Sequence, residues 1–316
     1  MKIAGQIDIE DLLRVCPTVS RAANPGYGAA GRLTVTAGEV SFGAGRPAVI
    51  AGPCAVESWE QTLSLAQAAR AAGARMLRGG AYKPRTSPHD FQGLGEEGLR
   101  ILQAAGQAVG LPVVTEVMDV RLVETVAQYA DMLQIGSRSM QNFPLLVEAG
   151  RSGKPVLLKR GMAATLCEWL GAAEYIALQG NLQIVLCERG IRSFAAGEYS
   201  RFTLDINAIP ALREATFLPV IADPSHATGL AARVEPASRA AIEAGCDGLI
   251  IEIALQPETC PPRCDAVQAI GPEKLRRIVR FIETRREAID WPEGSAMISA
   301  PDSEMSAHIG RRESSS

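Results

Sequence analysis

The sequence predicts an α/β fold in which eight parallel strands, each followed by a helix, close into a (β/α)8 barrel. Short, almost continuously apolar runs recur eight times between residues 47 and 253, as expected for parallel strands that are covered on both faces. Ala- and Leu-rich segments with helical spacing separate these runs. No early strand is followed by the glycine-rich turn of a dinucleotide-binding sheet, which favours a barrel over a doubly wound sheet.

The apolar runs and the segments between them predict the individual elements of this TIM barrel. Strands are predicted at 47–52, 74–79, 111–117, 131–137, 154–161, 183–190, 218–225 and 247–253. Helices are predicted at 59–72, 94–109, 119–129, 142–150, 165–179, 207–215, 236–244 and 272–289. The helix at 207–215 is short and follows an irregular loop, which makes the sixth unit the least regular one.

The two ends of the chain differ from the repeating middle. Residues 1–45 form a predicted N-terminal extension, with a short helix in "DIEDLLRVC" and a β-hairpin at 33–45 that turns at Ala37-Gly38. We expect this hairpin to close the bottom of the barrel. The catalytic barrel is predicted at 46–290. Residues 291–316 are small and polar without periodicity, which predicts a disordered C-terminal tail.

Composition excludes several classes of protein. A formal net charge of −3 argues against electrostatic binding of nucleic acid. No apolar run reaches the roughly 18 residues of a membrane span, and no signal peptide opens the chain. We therefore expect a cytoplasmic protein without nucleic-acid or membrane partners. Seven cysteines without a Cys-x-x-Cys pair predict reduced thiols, most of them packed in the core.

Polar residues stand at the carboxyl ends of all eight predicted strands. Barrel enzymes place their chemistry at this end, where the loops from every strand meet. The residues at or just after the strand ends are Cys54, Arg78, Lys83, Arg85, Thr86, Glu116, Arg138, Lys159, Arg160, Glu188, Arg189, Asp223, His226 and Glu252. These side chains can bind metal, bind anions or transfer protons, so a functional site is expected at this end of the barrel.

One group of these residues is cationic and is predicted to bind anions. Its members are Arg78, Lys83, Arg85, Arg138, Lys159 and Arg189. Gathering them at one mouth costs repulsion unless anions fill the site. Arginine forks suit phosphate and carboxylate oxygens, and lysine adds a point charge. We expect small, strongly anionic substrates; the alternative is that each cation is a solvated loop residue.

A second group combines thiol, imidazole and carboxylate. Cys54, His226, Glu252 and Asp265 follow strands one, seven and eight, which adjoin in a closed barrel. This mixture of sulfur, nitrogen and oxygen donors suits Mn²⁺, Fe²⁺, Co²⁺ or Zn²⁺ better than Mg²⁺. The alternative for His226 is a hydrogen-bonded loop residue.

Long motifs in this chain resemble one enzyme family. They are "AGPCAVES", "RGGAYKPRTSPHDFQGLGEEGL", "QIGSRSMQNFPLL", "KPVLLKRGM", "LCERGIR" and "PVIADPSHATG". Together they resemble the 3-deoxy-D-arabino-heptulosonate 7-phosphate (DAHP) synthases, and more narrowly the compact type I subgroup related to 3-deoxy-octulosonate 8-phosphate synthases. The similarity runs from about residue 33 to 289 and keeps the order of the motifs in the family.

The resemblance implies a metal-dependent transferase of the shikimate pathway, which leads to aromatic amino acids. Such an enzyme condenses phosphoenolpyruvate with erythrose 4-phosphate and releases phosphate. The implied metal ligands are Cys54, His226, Glu252 and Asp265, with Mn²⁺ expected first. The implied phosphoenolpyruvate contacts are Arg78, Lys83, Arg138, Lys159 and Arg189, with Glu116 at the pocket floor. Pro84, Arg85 and Thr86 would hold the aldose phosphate.

The resemblance also implies roles in catalysis for Lys83, Cys54 and His226. Lys83 is the expected proton donor, and we expect its cationic neighbours to depress its pKa. Octulosonate synthases, which use arabinose 5-phosphate, tend to show Lys-x-Asn-Arg-Ser-Ser where this chain has "KPRTSP". Pro84 before Arg85 therefore favours the four-carbon sugar. A related synthase for another aldose phosphate remains an alternative.

The segment after Glu252 departs from the family pattern. In "EIALQPETCPPRCDAVQAI", Ala254 replaces the usual histidine and Ala266 follows Asp265 in place of glycine. This segment is the only support for a third alternative, a non-catalytic barrel. Cys264, beside Asp265, could approach Cys54 closely enough to form a disulfide.

Expectations about assembly come from the relatives as well. They imply a homo-oligomer, either a homotetramer or a homodimer. Residues 1–32 are too few for the N-terminal regulatory domain found in some relatives. We therefore expect no strong feedback inhibition by Phe or Tyr, unless a regulatory partner protein supplies it.

Overall fold

A closed barrel of eight parallel strands forms the body of the protein, as the sequence predicts. The computed structural model describes residues 9–24, 26, 31–83, 85, 87, 89–194, 197, 199–256, 264 and 266–288. The predicted tail at 291–316 lies outside these ranges. In the part described, no helix is long and apolar enough to cross a membrane.

A two-stranded hairpin precedes the barrel and lies at its N-terminal end. Its strands are β1 (Val35–Ala37) and β2 (Val40–Phe42), which pair antiparallel. The turn between them contains Gly38 at φ 57°, and a Cβ there would lie 2.7 Å from the Pro112 side chain. Because Pro112 directly precedes a barrel strand, the hairpin closes the bottom of the barrel as expected.

All eight predicted barrel strands are present. They are β3 (Ala48–Gly52), β4 (Met76–Arg78), β5 (Val113–Glu116), β6 (Met132–Ile135), β7 (Val156–Lys159), β8 (Ile184–Glu188), β9 (Val220–Ala222) and β10 (Gly248–Glu252). Each strand pairs with its neighbour in the chain, and β10 pairs in parallel with β3 over five residues, which closes the barrel. Nearly every strand residue is buried, as expected for strands packed inside and outside.

The helices also follow the prediction, with two differences. They are α1 (Ile9–Val15), α2 (Trp59–Ala71), α3 (Glu96–Val109), α4 (Val123–Tyr129), α5 (Phe143–Arg151), α6 (Leu166–Ala177), α7 (Ala208–Ala215), α8 (Pro224–Thr228), α9 (Ala231–Glu243) and α10 (Pro272–Ala288). Helix α9 begins at Ala231, ahead of the predicted 236, and contains Pro236. The one-turn helix α8 is not predicted by the sequence, and its first two residues fall at the end of the predicted strand 218–225.

Helix α8 begins where it does because of Asp223 and Pro224. The Asp223 side chain accepts a hydrogen bond from the His226 backbone N–H at 3.0 Å, which caps the helix. Pro224 occupies the first helical position, where its missing N–H costs nothing. The strand therefore ends at Ala222, and His226 is carried on a capped turn directly above it.

Most cysteines pack in the core, as the sequence predicts. Cys16, Cys187 and Cys246 are at most 1% exposed. Burial raises the pKa of the Cys246 thiol to about 12. Burial, with Cys167 and Glu174 nearby, also raises the pKa of Cys16 to about 12. These thiols are neutral and enclosed, so they are inert packing groups.

Glu174 ties the N-terminal segment to the barrel, and its removal should destabilise the protein. Its buried carboxylate accepts backbone N–H bonds from Thr18 at 2.9 Å and Val19 at 3.1 Å. We expect Glu174→Ala to lower the free energy of unfolding by about 3 kcal/mol, because two donors lose a charged acceptor. Urea unfolding measures this. Glu148→Ala, at a half-exposed glutamate 3.6 Å from the Arg151 guanidinium, should change it by less than about 0.5 kcal/mol. Equal midpoints for both variants would contradict the assigned role.

Candidate active site at the carboxyl ends of the strands

A polar cavity of about 190 Å³ opens at the carboxyl ends of the barrel strands. Eight of the residues that the sequence singles out line it: Arg78, Lys83, Arg85, Glu116, Arg138, Lys159, Arg189 and His226. They come from six different strands or the loops that follow them. The closed barrel therefore gathers side chains that lie far apart in the sequence, as expected for this architecture.

Four cations of the cavity are deeply buried. Arg78 and Lys159 are the last residues of β4 and β7, Arg189 directly follows β8, and Lys83 lies in the loop after β4. Each is at most 8% exposed. The polypeptide holds these charges in place through the strands themselves, so they are oriented before any ligand arrives.

Two of these arginines keep hydrogen-bond donors unused. Within the described residues, Arg78 Nε and Nη1 and Arg189 Nη1 are buried without a hydrogen-bond partner. A buried donor without an acceptor costs roughly 1–3 kcal/mol, and more when it is charged. Arginine forks bind carboxylate and phosphate oxygens through paired N–H groups. The cavity is therefore built to receive an anion.

Glu252 lies beneath the cavity and connects several of its residues. This carboxylate is fully buried, and its Oε1 lies 3.0 Å from Arg78 Nη2 and 3.2 Å from His226 Nε2. Its Oε2 accepts a hydrogen bond from Gln268 Nε2 at 2.5 Å. One carboxylate thus positions both an anion-binding arginine and the imidazole.

Asp223 holds the other side of His226. Its Oδ2 lies 2.8 Å from His226 Nδ1 and accepts a hydrogen bond from Lys159 Nζ at 2.5 Å. Burial alone would raise the pKa of Asp223, but His226 and Lys159 outweigh burial and hold it well below its ordinary value. Burial lowers the pKa of His226 despite the two carboxylates around it. The imidazole is therefore neutral, which is the form that binds metals.

Cys54 lies below Lys83 at the end of β3. Lys83 Nζ donates hydrogen bonds to the Cys54 carbonyl oxygen at 3.1 Å and to Cys54 Sγ at 3.2 Å. The hydrogen bond with the Cys264 thiol, burial and the charge of Glu252 raise the pKa of Cys54 well above its ordinary value. The expected approach of Cys264 to Cys54 is confirmed, and no disulfide joins the two thiols.

The expectation that cationic neighbours depress the pKa of Lys83 is wrong. Burial does lower it, but the acidic groups Cys54, Cys264, Glu252 and Glu116 raise it by more, so the pKa lies above its ordinary value. The sequence showed the cations around Lys83, whereas the structure shows the acidic groups beneath it. Lys83 is therefore fully protonated.

The donors near Glu252 fit a divalent transition metal by their chemistry. A thiol, a neutral imidazole and a carboxylate suit Mn²⁺, Fe²⁺, Co²⁺ or Zn²⁺. His226 Nε2 lies 3.2 Å from Glu252 Oε1. The other ring nitrogen, Nδ1, contacts the Asp223 carboxylate, and a carboxylate in that position usually supports a metal-binding histidine. In the ranges that the structure describes, no three such side chains form a ready metal-binding group. Asp265 lies outside the described residues.

The loop predicted to hold the aldose phosphate is described only in part. Arg85 lines the cavity, and its Nη2 lies 3.1 Å from Asp90 Oδ2. Pro84 and Thr86 lie outside the described residues. An arginine at the rim with an exposed carboxylate partner can exchange that partner for a phosphate.

Arg160 and Glu188 are predicted at strand ends as well, but they do not line the cavity and pair with each other instead. Arg160 Nη1 lies 2.9 Å from Glu188 Oε2 and 2.9 Å from Asp205 Oδ2, and its guanidinium lies over the Trp169 ring. The charge of Arg160 is thus balanced by two carboxylates outside the cavity. Their role is structural.

The cavity also contains residues that the sequence analysis missed. They are Asp90, Gln134, Gly136, Ser137, Met162, Arg201 and Phe202. Gln134 had a signal, because it is a polar residue inside an apolar strand, and its Nε2 donates to Glu116 Oε2 at 3.4 Å. Arg201 and Phe202 come from the irregular loop after β8. The sequence around Arg201 and Phe202 does not indicate that they line the cavity, because their position depends on how the loop folds.

Comparisons with known proteins agree with this geometry. Residues 25–290 match the sequence model of the DAHP synthetase I family. The chain is 46% identical over 252 residues to the phospho-2-dehydro-3-deoxyheptonate aldolase of Thermotoga maritima, covering 80% of this chain and 73% of the relative. It is 33% identical over 266 residues to the 2-dehydro-3-deoxyphosphooctonate aldolase of Syntrophotalea carbinolica, covering 78% of this chain and 94% of that protein.

Solved structures give the same result. The crystal structure of the Thermotoga maritima DAHP synthase superposes with a TM-score of 0.80 at 45% identity, covering 85% of this chain and 76% of that one. A truncated form of the Thermotoga maritima enzyme gives a TM-score of 0.76 at 41% identity, covering 85% and 96%.

Asp223 should control metal binding through His226. Asp223→Asn keeps the shape of the side chain but removes the charge that supports His226 Nδ1 and Lys159 Nζ. We expect Mn²⁺ affinity to fall about 10- to 100-fold, the usual cost of removing a carboxylate behind a metal-binding histidine. Calorimetric titration of chelator-stripped protein measures this. The control is Asp205→Asn, which removes the charge of a carboxylate beside Arg160 and should leave Mn²⁺ affinity unchanged. Equal Mn²⁺ affinities in wild type and Asp223→Asn would refute the role of Asp223 in metal binding.

Proposed function

This chain belongs to the DAHP synthetase I family, and we propose that the cavity at its barrel mouth is the active site. The protein is an enzyme that condenses phosphoenolpyruvate with erythrose 4-phosphate, giving DAHP and inorganic phosphate. This reaction is the first step of the shikimate pathway to aromatic amino acids. The observation that supports the site is the cavity lined by buried Arg78 and Arg189, which keep unused guanidinium donors.

The two substrates bring three anionic groups into this cavity. Phosphoenolpyruvate carries a carboxylate and a phosphate, and the aldose carries a second phosphate. We assign phosphoenolpyruvate to the cations Arg78, Lys83, Arg138, Lys159 and Arg189, above Glu116. The aldose phosphate is assigned to Arg85 with Pro84 and Thr86 beside it. The burial of most phosphoenolpyruvate cations, and the position of Arg85 beside exposed Asp90, support this division.

The metal ligands are assigned to Cys54, His226, Glu252 and Asp265. A divalent metal ion held there would act as a Lewis acid on the aldehyde oxygen. We propose Mn²⁺, and the same donors also suit Fe²⁺, Co²⁺ and Zn²⁺. The neutral imidazole, supported by Asp223, is the observation in favour of this set.

The cations and Lys83 carry the chemistry that this chain contributes directly. The arginines hold phosphoenolpyruvate so that its C3 can attack the aldehyde carbon. Lys83 is protonated and lines the cavity, so we assign it as the donor to the oxygen that becomes a hydroxyl. Water then adds at C2 and loses one proton, which gives a hemiketal phosphate. The hemiketal hydroxyl passes its proton to the departing phosphate as the C2–O bond breaks, which leaves a ketone at C2 and inorganic phosphate. The fixed guanidiniums stabilise the charge that develops on the departing phosphate.

The four-carbon sugar is the better assignment for the acceptor. The chain is 46% identical to a heptonate aldolase and 33% identical to an octonate aldolase. The "KPRTSP" loop, with Pro84 before Arg85, supports the same choice. Arabinose 5-phosphate remains the alternative acceptor, because the octonate aldolases also match most of this chain.

A homo-oligomer, either a tetramer or a dimer, is the proposed assembly. Its support is an apolar patch on α5 and α6, where Phe143 and Tyr175 stack with ring centroids 4.4 Å apart and are both exposed. Leu178, which is 57% exposed, extends the patch. Exposed aromatic patches of this kind mark protein interfaces. Light scattering of the purified chain measures the assembly; a regulatory partner protein stays a prediction.

Turnover with matched sugars tests the proposed function. The purified protein is stripped with chelator, supplied with Mn²⁺, and assayed with phosphoenolpyruvate and either erythrose 4-phosphate or arabinose 5-phosphate. We expect Mn²⁺-dependent phosphate release and heptulosonate formation with the four-carbon sugar only. Cys54→Ser should lower turnover by about 100-fold or more, as loss of a metal-supporting group does.

The matched control for this assay is Cys246→Ser, which changes an equally buried cysteine far from the cavity. It should turn over like the wild type. Turnover with arabinose 5-phosphate alone would move the assignment to the octonate reaction. Absence of turnover with both sugars, from folded protein that binds Mn²⁺, would refute the proposed function.

A further inference from the structure

A buried amide lies next to the carboxylate beneath the cavity. Gln268 ends the short 3₁₀ helix Ala266–Gln268 and is only 2% exposed. Its Nε2 donates a hydrogen bond to Glu252 Oε2 at 2.5 Å. Gln268 is not among the described residues that line the cavity, so it does not contact a substrate bound there. A role for Gln268 in the reaction acts through Glu252, and it rests on the proposed function, in which Glu252 is a metal ligand.

The two carboxylate oxygens of Glu252 have different partners. Oε1 lies 3.0 Å from Arg78 Nη2 and 3.2 Å from His226 Nε2, whereas Oε2 accepts the hydrogen bond from Gln268. The last torsion of a glutamate side chain has broad minima, so a carboxylate turns readily unless a partner holds it. The Gln268 amide therefore fixes the plane of the carboxylate at the point where Glu252 faces His226.

The main chain of Glu252 is held independently of this amide. Its carbonyl oxygen accepts a hydrogen bond from the Ile270 N–H at 3.0 Å, and the Ala254 N–H donates to the Ile270 carbonyl oxygen at 3.1 Å. The Glu252 N–H donates to Ser225 Oγ at 3.0 Å. With the backbone fixed on both sides, the orientation of the carboxylate is the remaining freedom, and Gln268 contacts that group.

Arg201 determines which end of the Gln268 amide faces Glu252. An amide presents an acceptor oxygen at one end and a donor NH₂ at the other. Arg201 Nη1 donates to Gln268 Oε1 at 3.1 Å, and a guanidinium has donors only, so the NH₂ group must face the carboxylate. Arg201 is an exposed residue of the loop between β8 and α7, and its backbone N–H donates to the Thr228 carbonyl oxygen at 3.1 Å. The loop thus fixes the amide.

We propose that Gln268 is a positioning residue that orients the Glu252 carboxylate for the divalent metal ion, and that Arg201 holds the Gln268 amide in the required orientation. The loop between β8 and α7 acts on the metal site in this way without supplying a ligand. The partners behind metal ligands commonly change metal affinity about 10- to 100-fold when they are removed.

Mn²⁺ affinity tests the proposal, measured by calorimetric titration of chelator-stripped protein. Gln268→Met keeps the length of the side chain and removes both hydrogen bonds, so we expect Mn²⁺ binding to weaken about tenfold. Arg201→Met keeps the amide but removes the group that orients it. We expect a fall of about threefold, the effect of losing one hydrogen bond. Arg201→Lys, which keeps a donor for Gln268 Oε1, should stay close to wild type.

The matched control is Asn181→Leu, which also removes a buried amide with both ends in use. Asn181 is 6% exposed and precedes β8, at the end of the barrel opposite the cavity. Its Nδ2 donates to the Lys154 carbonyl oxygen at 2.8 Å, and its Oδ1 accepts from the Gln183 N–H at 3.0 Å. Asn181→Leu should lower the urea midpoint but leave Mn²⁺ affinity unchanged.

Wild-type Mn²⁺ affinity in Gln268→Met would overturn the proposal, and so would an equal fall in Asn181→Leu, since lower stability would then be the cause. Because Arg201 is exposed, Arg201→Met tests the same contacts even if Gln268→Met does not fold. Excess Mn²⁺ gives a second readout. Turnover of Gln268→Met should return close to wild type at saturating Mn²⁺, whereas turnover that stays low would contradict a role in metal binding.

Calorimetry separates this proposal from the proposed function, since it needs no turnover. If the wild type binds Mn²⁺ but forms no heptulosonate, and Gln268→Met binds Mn²⁺ about tenfold more weakly, the positioning role stands and the assigned reaction fails. If the wild type turns over normally and Gln268→Met binds Mn²⁺ as tightly as the wild type, the positioning role fails alone.

Discussion

The buried carboxylate of Glu252 is the interaction on which the rest of the site depends. It is fully enclosed at the end of β10 and contacts Arg78, His226 and Gln268 at 2.5–3.2 Å. A buried charge is costly unless opposite charge and hydrogen bonds surround it, and here both are present. Through these three contacts one carboxylate orients a substrate cation, a metal-binding imidazole and, by way of Gln268, the rim arginine Arg201. The proposed metal ligands and the anion-binding cations therefore share one support.

The barrel architecture brings the charged residues around Glu252 together. Parallel strands bring their last residues to one rim, so Arg78, Lys159 and Glu252 meet without long loops. Asp223 also has several roles at once. Its carboxylate caps α8, supports His226 and neutralises Lys159. The hairpin closes the opposite end of the barrel. Stability and chemistry are thus separated along the barrel axis.

Much of the fold and many polar residues of the site could be predicted from the sequence. The same physical reasons explain which features could not be predicted. Buried parallel strands must be apolar, so all eight barrel strands could be recognised in the sequence. The start of α9 was placed too late, at Pro236, because proline favours the first position of a helix. Strand ends converge in a barrel, so Arg78, Lys159 and Arg189 could be grouped. The raised pKa of Lys83 and the positions of Arg201, Phe202 and Gln268 could not be predicted, because they depend on contacts between loops distant in sequence.

The central role of Glu252 is tested most directly by Mn²⁺ binding and turnover of Glu252→Gln, an exchange that keeps the shape of the side chain and removes its charge. We expect Mn²⁺ affinity, measured by calorimetry on stripped protein, to fall about 100-fold and turnover to be lost. We also expect a free energy of unfolding lower by about 3 kcal/mol, because Arg78 loses its buried partner. Wild-type Mn²⁺ affinity together with wild-type turnover would contradict this role, since Glu252 would then organise neither the metal nor the substrate cations.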